Sequence, residues 1–147
     1  MQLPEYISKA EVQRVCRELG IRDWTALTTA EVTLDEARVI QAEVGAEAGK
    51  ITPEQFRQGL EVELEHGVTF PDANVTNNHP LLTGKIVLAH LKEMLDYYTR
   101  LEVAELEGDM LKAVVAGNAE KAAHLYRTLI AARAALYTQE KARTALA

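Results

Sequence analysis

Cysteine, proline, glycine and aromatic residues are all scarce in this 147-residue chain, and each scarcity excludes something. A single cysteine, Cys16, rules out an intrachain disulfide and a cysteine-rich zinc or iron–sulfur centre. It points to a reducing compartment, so the expected location is the cytoplasm. With 8 glycines and 4 prolines the chain is neither collagen-like nor a linker. No run approaches the ~18 apolar residues of a membrane span, and Met1 to Lys9 lacks the charged start and apolar stretch of a signal peptide. The expectation is a soluble protein that is not exported and has no membrane partner. What is present is ample apolar material, 48%, beside 26% charged residues, which excludes wholesale disorder and suffices for one ordinary core.

The net charge of -6 is unevenly spread. Residues 1–50 carry 9 acids and 6 bases, residues 51–110 carry 11 and 4, and residues 111–147 carry 2 and 6. An acidic centre disfavours nucleic acid as a partner, and the basic tail suits an acidic surface of the same chain or of a second copy. Three helix starts are legible: Ser8 with Glu11, Thr33 with Glu36, and Thr52-Pro53-Glu54-Gln55, each a hydroxyl N-cap with an acid or amide three residues on. Gly20, Gly45 and Gly67 read as stops. Residues 68–82 hold Pro71, Asn74, Asn77, Asn78 and Pro80 and read as a loop. Thr83 to Glu107 keeps helical spacing without an internal breaker after Gly84 and reads as one long helix, which Gly108 ends. A short helix over Asp109 to Ala116 and a final one from Ala119 to Ala145 follow, with Gly117-Asn118 as the stop and cap between them. The fold class is all-α, a small bundle of five to six helices. Its organisation reads as an N-terminal helical extension (1–50), a helical hairpin core (51–107) and a basic C-terminal segment (108–147), together one compact domain.

Chemistry concentrates in the middle third. At about 100° per residue, Phe56, Leu60 and Leu64 share one face of the third helix, with Glu63 and His66 on its flank and Glu61 and Glu65 in solvent. On the long helix, Ile86, Met94, Tyr97, Leu101 and Ala104 form the buried face with His90 near its middle. Glu93 lies at the edge, while Lys92, Asp96 and Thr99 face away. If residues 68–82 simply reverse the chain, the two helices are antiparallel and Glu63, His66, His90 and Glu93 converge. Two imidazoles and two carboxylates suit one divalent ion such as iron, manganese or zinc. The alternative for the same residues is a hydrogen-bonded core without metal, with Tyr97 or Tyr98 as partner. The second pair is reversed relative to the di-iron pattern, which disfavours a ferritin-like oxidase. Cys16 reads as a buried, inert thiol, His79 as exposed, His124 as a helix-surface residue, and Tyr97-Tyr98 as packing with a bonded hydroxyl. Leu125, Leu129, Ala132 and Leu136 form a narrow stripe that closes the bundle or pairs with another subunit.

The blocks Glu54-Gln55-Phe56-Arg57, Gly59-Leu60-Glu61-Val62-Glu63-Leu64-Glu65-His66-Gly67, Asn74-Val75-Thr76, Thr83-Gly84-Lys85-Ile86, Ala89-His90-Leu91-x-Glu93 and Asp96-Tyr97-Tyr98-x-Arg100-Leu101 resemble a small family of uncharacterised bacterial and phage proteins. The resemblance covers residues 51–105 and places Glu63, His66, His90 and Glu93 inside shared blocks. It implies no established activity, leaves the first 50 residues and the basic tail outside, and makes a virion the alternative location for a phage-encoded member. Where the pattern has acids before Pro80, this chain has Asn78-His79.

Three functional readings follow from these residues. The leading one is a helical protein binding one divalent ion at Glu63, His66, His90 and Glu93, with no catalysis implied. The rival is a structural or assembly protein, acting as a homo-oligomer or with a protein partner through its helices. The third is a metal-dependent hydrolase working beneath residues 68–82.

Overall fold

The computed structural model describes residues 6–46 and 50–145, and among these it contains six α-helices and no strand. The chain divides into two compact units, Met1–Glu93 and Met94–Ala147.

The first unit contains α1 (Lys9–Leu19), α2 (Leu34–Glu43), α3 (Pro53–Thr69) and α4 (Pro80–Glu93), with short 3₁₀ turns at Trp24–Ala26 and Pro71–Ala73. The expected caps form. Ser8 accepts from the Glu11 amide, and both Thr33 with Glu36 and Thr52 with Gln55 close complete capping boxes. Gly20 ends α1 in the left-handed conformation, at φ 67°, which costs a residue without a Cβ little. The amphipathic stripes meet in one core: Val12 and Cys16 of α1, Ile40 of α2, Phe56, Leu60 and Leu64 of α3, and Val87 and Leu91 of α4, with Trp24 fully buried among the largest side chains. Gly84 lets α4 approach α2. A Cβ there would lie 2.7 Å from Ile40 Cγ2 and 3.0 Å from Val44 Cγ1.

The second unit is a hairpin of α5 (Tyr97–Val115) and α6 (Ala119–Thr144), joined at Gly117-Asn118. The helices run antiparallel in a register set by Thr99 with Gln139, Arg100 with Glu140, and Glu107 with Arg133. Leu129 and Ala132 of the expected stripe are buried.

Several boundaries differ from expectation. The helix expected over 83–107 is two helices, broken between Glu93 and Tyr97. No glycine or proline marks the break. Asp96 marks it: this residue, expected to face away, is 2% exposed and receives Arg100 at 2.8 Å and Arg143 at 2.9 Å. Asp96 stands at the N-cap of α5, and its carboxylate bonds these two side chains and not the helix backbone. Thr99 is likewise buried, while Ala104 and Ile86 are exposed. Gly108 does not end a helix, and the separate helix over Asp109 to Ala116 is the last part of α5. Gly67 lies inside α3, and α4 begins at Pro80, a residue pre-set for the first helical turn.

Candidate functional site

Of the four proposed ligands, the structure brings two together. Glu63 on α3 and His90 on α4 are half-buried, with His90 Nε2 3.6 Å from Glu63 Oε1. His66 and Glu93, about one turn further along each helix, are both exposed. Among the described residues no three His, Cys, Asp or Glu side chains are gathered closely enough to hold a metal ion.

The carboxylate that the first unit buries is held by donors of the same unit. Glu36 is 5% exposed, yet it accepts from the Arg22 amide, Nε and Nη2, from Trp24 Nε1, and from the Thr33 amide and Oγ1, at 2.6 to 3.4 Å. Burial alone would raise its pKa. The Arg22 guanidinium and the Thr33 donors outweigh it and hold the carboxyl at about 2. A cavity of about 250 Å³ lined by Ile21, Arg22, Glu36 and Val39 lies beside it. The capping box marks Glu36 in sequence, but nothing local marks Arg22 or Trp24 as its partners.

The segment after α3 is built around asparagines. Asn74 Nδ2 donates to the Gly67 carbonyl at 3.2 Å and to Asn78 Oδ1 at 2.8 Å, Asn78 Nδ2 reaches the Trp24 carbonyl at 3.4 Å, and Asn77 Nδ2 reaches that of Ile7 at 2.6 Å. Asn77 and Asn78 both occupy the left-handed region, which asparagine tolerates better than other side chains. Gly67 is required by contact, since a Cβ there would overlap Asn78 and Asn74. A polar cavity of about 170 Å³ sits here, lined by Lys9, Thr25, Gly67, Asn74 and Asn78 among others. This is a clasp tying the α3–α4 connection to the N-terminal residues, and its side-chain amides are engaged within it.

His79, expected to be exposed, is 7% exposed. Its Nδ1 accepts from the Leu82 amide in the first turn of α4, a capping role, and burial lowers its pKa. Glu61, expected in solvent, is only partly exposed, accepting from the Val32 amide and Arg57. Cys16 is buried as expected, which raises its pKa and keeps the thiol protonated. His124 is exposed, and Tyr98 is buried with its ring edge-on to Tyr97 at 5.1 Å.

In the second unit the cluster is Asp96 with Arg100, Arg143 and Glu140. Burial opposes ionisation of Asp96, but the two arginines prevail and its pKa is lowered.

These features define a small all-helical protein whose buried polar groups serve its own architecture. Residues 12–107 match the model of a family described as Protein of unknown function (DUF5661), and the chain belongs to that family. The match begins well before residue 51, so most of the N-terminal 50 residues, expected to lie outside the shared region, are part of it. It ends within α5, and α6 lies beyond it. No curated protein and no solved structure matches the chain.

Proposed function

We propose that the protein is a self-associating helical protein whose C-terminal hairpin is its assembly surface. One observation carries this reading: Leu111, Val114 and Val115 on α5 and Tyr126, Ile130 and Tyr137 on α6 are all exposed, by 48 to 81%. Single exposed apolar residues are ordinary, but six large ones on a two-helix unit are many, and Tyr126, Ile130 and Tyr137 share one face of α6. Charge supports a second copy as the occupant. The α5 helix carries Glu102, Glu105, Glu107 and Asp109 against Arg100 and Lys112, and α6 carries Lys121, Arg127, Arg133, Lys141 and Arg143 against Glu120 and Glu140. An acidic helix beside a basic one is self-complementary across a two-fold axis. The test is light scattering on a size-exclusion column over a range of concentrations, with Ile130→Asp beside the wild type. The wild type is expected as a discrete oligomer and the variant as a folded monomer; a wild type that stays monomeric overturns the reading.

A second reading keeps one divalent ion, iron, manganese or zinc, on the first unit. Its support is the approach of Glu63 to His90; His66 and Glu93, each three residues further along its helix, are the other two ligands this reading names. Titration with each ion should then give one site that His90→Ala abolishes; no uptake by the wild type sinks it.

A further inference from the structure

Resting on the self-association reading, we infer that two hairpins stack face to face as a four-helix bundle with both turns at the same end, oriented by the Glu107–Arg133 ion pair. The pattern is in the spacing. On α5, positions 100, 103, 107, 110 and 114 are three and four apart in alternation, and on α6 so are 126, 130, 133, 137 and 140. That is the repeat of a seam that packs against another helix. The ion pairs Arg100–Glu140, at 2.8 Å, and Glu107–Arg133, at 2.5 Å, fix the two seams in one register. The same register sets Val103 level with Tyr137, Met110 with Ile130, and Val114 with Tyr126. The result is a ladder of five rungs, three apolar and two charged, on one side of the hairpin.

The charged rungs discriminate between the two ways of stacking such ladders with helices aligned. With a two-fold axis parallel to the helices, every rung meets its own copy, and α5 faces the α6 of the other chain. Glu107 then faces a second Arg133 and Arg133 a second Glu107, a quartet of alternating sign, and Arg100 with Glu140 makes another. With the axis perpendicular to the helices, α5 faces α5. Centred on the charged rung, that arrangement sets Glu107 against Glu107 and Arg133 against Arg133. Centred on the Val103–Tyr137 rung, it brings Arg100 to Glu107 and Arg133 to Glu140, but leaves the apolar rungs of Met110 with Ile130 and of Val114 with Tyr126 with no apolar rung opposite. Centred anywhere else along the ladder, it sets a charged rung against an apolar one or against its own charges. Each of these costs free energy that the first arrangement avoids. A polar pair within an apolar seam is a known means of fixing register and partner orientation at some expense of affinity.

The experiment mixes the wild type, ¹⁵N-labelled, with the double swap Glu107→Arg/Arg133→Glu, and follows subunit exchange by native mass spectrometry. The swapped chain keeps the ion pair within its own hairpin, so its folding, checked by circular dichroism, is preserved. Each protein is expected to dimerise alone, and mixed dimers to fall about tenfold below their statistical share, because like charges would meet in the rung. Mixed dimers at the statistical share, or in excess of it, overturn the inference and leave self-association standing. A monomeric wild type overturns both.

Discussion

The two units solve the burial problem with different amounts of material. In the first, four helices surround Trp24, Ile40, Phe56 and Leu60, all at 0% exposure, and each buried polar group described above finds donors or acceptors around it. In the second, two helices share a single line of contact. Leu129 and Ala132 are buried along it, while Ile130 and Tyr126, their neighbours in sequence, are about half exposed. A helix has one face for each neighbour, so a pair of helices buries one stripe on each and leaves the rest to solvent or to a partner. The lesson is that apolar content alone does not make a core. The number of elements that can surround it does.

The comparison can be broken most directly at Trp24. Trp24→Ala removes a fully buried side chain and the indole donor to Glu36. A loss of about 3–5 kcal/mol is expected from cavity formation. Denaturant titration should show the first unit melting earlier while helical signal from the hairpin persists; one shared transition for both would show the units to be energetically coupled. Next in size is Glu36→Gln, expected to cost about 2 kcal/mol at pH 7. Because the folded pKa of about 2 lies below the ordinary value of about 4.5, this contribution is present in full above pH 4.5 and disappears as the pH falls towards 2. Thermal melts of variant and wild type should therefore converge across that window, and parallel melts at every pH would count against the ionised cluster. The smallest effects contrast two helical glycines. Gly84→Ala must displace Ile40 and Val44 and should cost about 1–3 kcal/mol. Gly108→Ala, with nothing within 4 Å, should gain about 0.5–1 kcal/mol from helix propensity. Equal signs at the two sites would dissolve the distinction between a crowded unit and an open one.

The sequence made local structure legible and tertiary partnership much less so. Ser8, Thr33, Thr52 and Gly20 announce their caps and stop because each acts within four residues of itself. The all-α class and the stripe through Leu129 follow from periodicity for the same reason. The break before α5 carries no local signal, and the burial of Asp96 beside it is illegible because its partners include Arg143, 47 residues away. Glu36 was visible as a cap but not as the acceptor of Arg22 and Trp24, and His79 looked like a loop residue because its burial is tertiary. At the candidate site, the spacing of Glu63 with His66 and of His90 with Glu93 put each pair on one side of its helix. It said nothing of which members the packing of α3 on α4 would bring within reach, and that turned out to be Glu63 and His90.

The turn at Gly117-Asn118 has a consequence for how this chain can change over generations. Surface turns ordinarily absorb insertions and deletions without harm. Here, every pairing from Thr99–Gln139 to Glu107–Arg133 is counted from that turn. One added residue would roll the whole of α6 by about 100° relative to α5 and part all of those pairs at once. Point changes along the hairpin are separable events, each felt at its own level. A change in the length of its connection is not, so two exposed residues with little packing of their own carry a length constraint as strict as that on any core position.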